Sequence, residues 1–240
     1  IMNVSEIGYA GLFILVITLV LLTYRKALLK MKIDTKVVKR RLSLLVLTFG
    51  VWVVYLYLIG ESGLLWYFEL PPRFFLMLFL PLTIIAIVLL VKNRKSDLFH
   101  VIPKKDIIYF QSFRIVVELV ILATFLDGVF PIETTFEGYN YEIVIGLIAP
   151  VIAYGVYRKN WFPEFVVVLF NITGLITLSI IIFIVITSLY FPSVWGDNVP
   201  VINERFSHMP YLLLPGFLAP VAIFAHVFSL MQIRKTKGKN

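Results

Sequence analysis

Between Ile102 and Pro131 the chain reads IPKKDIIYFQSFRIVVELVILATFLDGVFP, an apolar stretch that carries Gln111, Arg114 and Glu118. Spacings of i, i+3 and i+7 put all three on one face of a helix. Inside a bilayer an ionisable group costs roughly 2.5–3.5 kcal/mol to insert, so such a face meets protein or a water-filled cavity. Arg114 offers a fork of donors to an anionic or polyhydroxyl group. Glu118, held apart from Arg114, is the group that would carry a proton. The competing reading is an ion pair between the two that only fixes helix packing. Arg ahead of Glu at i, i+4 is the weaker order for such a pair. In hydrocarbon, the cost of leaving either charge alone outweighs that preference.

Two more apolar stretches carry isolated polar groups. Asn171 is followed by Thr173 and Thr177, and His226 stands in AHVFSL. At 1.5 Å per helical residue, Gln111 lies ~8 Å, Arg114 ~12 Å and Glu118 ~18 Å in from Asp106. The same rule puts Asn171 ~9 Å in from Phe165 and His226 ~8 Å in from Met231. Gln111, Arg114, Asn171 and His226 are therefore expected at one level of the inner third of a bilayer. Read structurally, His226 and Asn171 are hydrogen-bonded packing between helices.

The elements that must position these groups are membrane spans. The 240 residues are 60% hydrophobic and 15% charged, with a mean hydropathy of +0.94. Soluble domains are nearer 45–50% apolar and about 25% charged. At ~20 apolar residues per crossing, seven spans are expected in one all-α integral-membrane domain. They cover about 7–24, 42–59, 74–91, 106–126, 141–157, 165–190 and 211–231. The first apolar run lacks a basic leader and is expected to stay as a helix; Ile1, ahead of Met2, reads as an addition to the native chain.

Orientation follows from Lys and Arg. Nineteen of the 22 fall in the segments 25–41, 92–105 and 158–159 and in the tail, Arg234, Lys235, Lys237 and Lys239. Arg73, Arg114 and Arg205 are the exceptions. Nine of the fourteen acids fall on the opposite side, among them Asp127, Glu133, Glu137 and Glu142. The N-terminus is thus expected outside and the C-terminus in the cytoplasm of a bacterium, across its inner membrane. The net charge of +8 is a topology signal helped by anionic lipid, not a nucleic-acid footprint. Residues 26–41 read either as a short basic surface helix, with Leu28, Leu29, Met31 and Ile33 toward lipid, or as a solvated loop.

Outside, the acids between the fourth and fifth spans suggest a hydrated acidic loop, with an oxygen-ligand cation site as the alternative. If Tyr141 opens the fifth helix, Asn140 is its N-cap and Glu142 complements its dipole. Pro81, Pro150 and Pro220 fall inside spans and are expected to kink them. Cys is absent, which excludes disulfides and thiolate chemistry. Three His with none at i, i+4 make a poor metal set. No nucleophile motif, phosphate loop or aspartyl pair is present. No cofactor and no catalytic residue are expected, and nothing marks an enzyme.

An internal repeat is visible as weak echoes. Tyr24–Lys26 and Tyr157–Lys159 both read Tyr-Arg-Lys, and Pro71 and Pro81 match Pro210 and Pro220 in their ten-residue spacing. A three-plus-one-plus-three layout of parallel repeats follows, with a site near the midplane. That layout resembles the superfamily of SWEET sugar transporters and microbial rhodopsins, in topology alone. The Pro-Gln pair of PQ-loop relatives is missing, and the last span has no Lys for a retinal Schiff base. Locally, QSFRIVVELVIL (Gln111–Leu122) with TTFEGYNYEIVIGLIAPVIAY (Thr134–Tyr154) resembles a paired signature of small bacterial seven-helix membrane proteins. That resemblance implies the fold and no activity.

The sequence thus points to a small polar or anionic solute, moved or bound in a pocket between the fourth, sixth and seventh spans and linked to protons. Arg114 anchors it, Glu118 titrates, and Gln111, Asn171 and His226 shape the pocket. The alternative is a sensor or assembly partner that docks a lipid, a pigment or another membrane subunit.

Overall fold

A computed structural model describes residues 3–236, and of these the side chains up to Ile233. The basic tail from Arg234, like Ile1 and Met2, lies outside the described side chains. Six helices are long and apolar enough to cross a membrane among the described residues. They are α1 (Val4–Lys30), α2 (Thr35–Glu61), the third span Phe75–Asn93, the fourth Lys104–Leu126, α8 (Phe165–Tyr190) and the last, Leu214–Ile233. The third span is a π-helical turn, Phe75–Phe79, continued by α3 (Leu80–Asn93). A short α4 (Asp97–Val101) precedes the fourth span, itself split into α5 (Lys104–Phe110) and α6 (Phe113–Leu126). Between it and α8 stands α7 (Glu142–Tyr157), apolar but only sixteen residues long. The last span is a π-helical turn, Leu214–Leu218, continued by α9 (Ala219–Thr236).

The exterior has the character of a lipid-facing surface. In the most apolar stretch of α2 only 6% of residues are buried in the protein, against 56% in the fourth span. Leu44, Val51, Val54 and Leu58 all face outward, an apolar face of a kind that soluble monomers rarely leave open.

Segment 26–41 is neither a separate surface helix nor a loop. Helix α1 continues through Arg25 and Lys26 to Lys30, and α2 begins again at Thr35 after a tight turn. Asp34 caps α2 by accepting from the Lys36 N–H at 2.6 Å. Long helices are cheap here because Arg and Lys tolerate helix and keep their charges in water at the exposed end.

The fourth span is the axis of the bundle. Its α6 packs on α1 and α7, and its α5 on α7 and α9; α8 fits between α7 and α9, and α3 lies along α9. The third span and α8 scarcely touch along their length. They meet at one end, where the Phe74 N–H donates to the Tyr190 hydroxyl at 2.9 Å. Lys104 and Glu164 pair at 2.6 Å and set α5 and α8 level at the basic end.

The Pro echoes of the third and last spans are matched in structure. Each π-helical turn starts four residues after the first Pro, with Leu80 N–H bonding Phe75 O and Ala219 N–H bonding Leu214 O. Pro81 and Pro220 bring no N–H, so the carbonyls four residues before them lose their helical donors. Those carbonyls belong to Met77 and Gly216, the same place in each echo. Helix α2 supplies both substitutes: Tyr55 OH donates to Met77 O and Trp52 Nε1–H to Gly216 O, each at 2.8 Å. Non-helical backbone inside a membrane is tolerated where protein restores its bonds. The Tyr-Arg-Lys echo has no such counterpart: Tyr24 lies inside α1, whereas Tyr157 ends α7.

Candidate functional site

The fourth span tightens where its polar residues begin. Gln111 N–H bonds Ile108 O, Ser112 N–H bonds Tyr109 O, and Arg114 N–H bonds Gln111 O, all three-residue steps of 3.0–3.2 Å. In such a turn residues i and i+3 eclipse. Gln111 and Arg114 therefore stack, with Arg114 Nε–H donating to Gln111 Oε1 at 3.2 Å.

Arg114 is 1% exposed, and its ion-pair partner is Glu142, not Glu118. Nη1 of Arg114 donates to one carboxylate oxygen of Glu142, and the Thr177 hydroxyl donates to the other. Glu142 is the first residue of α7, as expected of a helix start, but it is buried and is no part of a hydrated acidic loop. The correction has a simple cause: α7 is short, and the connection before it folds into the bundle. Thr134, Thr135 and Asn140 of that connection are all fully buried, while Glu137 stays exposed. Taking 1.5 Å per residue, Arg114 lies ~15 Å above the Lys104–Glu164 pair, Thr177 ~20 Å and Glu142 ~22 Å above Tyr157. The cluster is deep inside the bundle.

Asn140 ties the two carboxylates together. Its Nδ2 donates to Glu118 Oε2 at 2.9 Å and to Thr134 O at 3.0 Å, and its Oδ1 accepts from the Glu142 N–H at 3.1 Å. Asn140 is not the expected N-cap: Tyr141 holds that place without a side-chain cap, and Asn140 closes a two-residue turn onto the Glu142 N–H instead. Close approach of α6 to α7 depends on Gly146. A side chain there would meet Ile115 Cγ1 at 2.8 Å and the Ile115 backbone N at 2.9 Å.

A cavity of about 90 Å³ abuts the cluster. Arg114, Glu118, Asn140 and Glu142 form one end; Phe79, Ile121, Leu178, Val185 and Ala222 are among the residues that wall the rest with hydrocarbon. It extends along the gap where the third span and α8 fail to meet. Its volume corresponds to about three water molecules, but water needs two to four polar partners each, and beyond the charged end Tyr190 is the only polar side chain among the lining residues. Nη2 of Arg114 is buried and has no hydrogen-bond partner among the described residues.

Asn171 and His226 form a second group nearer the basic end. Asn171 Nδ2 donates to Val167 O at 2.6 Å and to Ser229 Oγ at 2.9 Å. Its Oδ1 faces His226 Nδ1 at 2.8 Å and can only accept, so Nδ1 carries the ring proton. Nε2 is left as an acceptor, buried and without a partner among the described residues, with the ring seated on Gly174. Gln111 Nε2 is likewise unpartnered. No hydrogen bond joins this group to Arg114 among the described residues, and neither residue lines the cavity.

Of the five residues singled out by sequence, Gln111 and Arg114 stand together, Glu118 joins them through Asn140, and Asn171 with His226 stand apart. Glu142, Asn140 and Thr177 complete the site. A signal for Glu142 was present: a buried Arg needs a counter-ion, and Glu142 is the acid that directly precedes an apolar run. No protein-family model matches the chain, and neither a curated protein nor a solved structure similar to it is found.

Proposed function

We propose that the chain is a seven-span protein of the bacterial inner membrane, N-terminus outside, that binds a largely apolar molecule bearing one polar head. One observation carries the reading: a fully buried guanidinium with an unpartnered Nη2 lines a cavity whose walls are otherwise mostly hydrocarbon. A buried N–H without a partner costs about 1–3 kcal/mol, which a bound acceptor would recover. Passage of a small polar or anionic solute, the first reading of the sequence, has less support, because such a solute finds few polar partners beyond the charged end. Sensing or assembly through a bound lipid-like molecule suits the cavity better. Seven crossings require α7 to span despite its length, helped by the buried connection before it. The basic residues of the α1–α2 turn are exposed and suit an anionic cytoplasmic leaflet. Membership of the small bacterial seven-helix family belongs to the same proposal; its paired segments contain Arg114, Glu118, Asn140 and Glu142.

The test is to purify the protein from membranes, extract it with organic solvent and identify the extract by mass spectrometry. Wild type should release a stoichiometric small molecule that Ala222→Phe, which fills the cavity, does not. Identical extracts from the two proteins would remove the proposal.

A further inference from the structure

Resting on that reading, we infer that the head group is a neutral oxygen, a carbonyl or hydroxyl on a hydrocarbon chain, and not a carboxylate, and that the chain lies in the gap between the third span and α8. The donor inventory of Arg114 comes first. Nε–H is taken by Gln111 and one N–H of Nη1 by Glu142, so Nη2 is the one nitrogen without any partner, and it can only donate. The ligand atom against it is therefore an acceptor.

Charge then selects among acceptors. One guanidinium faces two carboxyl groups, Glu142 bonded to it directly and Glu118 held one residue away by Asn140. The single positive charge is already matched. A further anion would bring an uncompensated charge into a low-dielectric site, where desolvation is the larger effect. A carbonyl oxygen satisfies Nη2 and adds no charge. A hydroxyl does the same, its proton free to turn toward a carboxyl group.

Size fixes the rest. A volume of about 90 Å³ accepts the head and the first few carbons of a chain. Further carbons fit an exit along Phe75, Phe79, Ile182 and Val185, where the third span and α8 stand apart. That exit leads sideways into lipid, so the molecule enters from the bilayer. Its chemistry is that of a long-chain ketone, aldehyde or alcohol, or a quinone with an alkyl tail.

Photoaffinity labelling with chain-matched probes tests this. A C12 ketone, a C12 alcohol and a C12 carboxylic acid, each with a diazirine near the chain end, are irradiated with the protein in nanodiscs. Labelled residues are mapped by mass spectrometry. The ketone and alcohol should label α8 between Ile181 and Ile186 and the Phe75–Phe79 turn at least tenfold above the acid. Ala222→Phe should abolish this labelling, and so should Arg114→Gln where it folds. Equal or stronger labelling by the acid, lost in Ala222→Phe, overturns the head-group assignment and leaves the cavity reading standing. No labelling by any probe above the Ala222→Phe level overturns that reading itself.

Discussion

Arg114 and Glu142 stand 28 residues apart in the chain and share a buried ion pair, with side-chain exposures of 2% and 6%. Removing one partner leaves a charge in hydrocarbon, whereas removing both leaves none. Arg114→Met and Glu142→Leu singly should each destabilise the protein by about 3–5 kcal/mol. The double variant should recover most of the loss. Thermal unfolding in detergent checks this, and additive losses would show that the pair is not coupled.

Asn140 is the clasp between α6 and the connection that precedes α7. Asn140→Ala strips a donor from Glu118 and an acceptor from the Glu142 N–H, at about 1–3 kcal/mol for each group left unpaired. Asn140→Asp should cost more, because it sets a carboxylate against Glu118. Tm should therefore fall in the order wild type, Ala, Asp; the reverse order of the two variants contradicts the contact.

Gly174 holds the His226 ring where any β-carbon would collide with it. Overpacking of this kind costs typically 1–3 kcal/mol. Gly174→Ala should lower Tm, and adding His226→Ala should restore part of it. A double variant no better than the sum of the two singles would place the strain elsewhere.

Tyr55 serves a carbonyl that has lost its helical donor to Pro81. Tyr55→Phe should cost on the order of 1 kcal/mol in the native chain. In a Pro81→Ala background, where an N–H is available to Met77 O, the same change should cost clearly less. A double-mutant cycle measures the difference, and an equal cost in both backgrounds would detach Tyr55 from the π-helical turn.

Orientation can be read directly, since the chain has no Cys and any introduced thiol is unique. In intact cells Ser62→Cys should react with a membrane-impermeant maleimide, while Lys36→Cys should react only after lysis. The opposite pattern would invert the proposed topology.

Helical class, the apolar segments and the fourth span's polar face were legible in the sequence, because each depends on local composition and period; seven crossings were expected, and six helices have the length for one among the described residues. The matched Pro spacings were legible too, and the structure gives them a cause in the Met77 and Gly216 carbonyls. Partners were not. Arg114 has an acid four residues away on its own helix and nevertheless pairs with one on the next, and the place of Glu142 before an apolar run marks a helix start, not a counter-ion. Periodicity ranks residues by face; it carries no information on how far a connection folds inward.

Hydropathy and spacing alone determined that this chain is a bundle of apolar helices with a charged seam at its axis. Which groups close that seam was decided by tertiary packing: a short α7, a buried Asn140 and Gly146 at the contact let Glu142 reach Arg114. Local sequence sets the cost of burying each charge, but only the arrangement of neighbouring helices sets which opposite charge comes near enough to offset it.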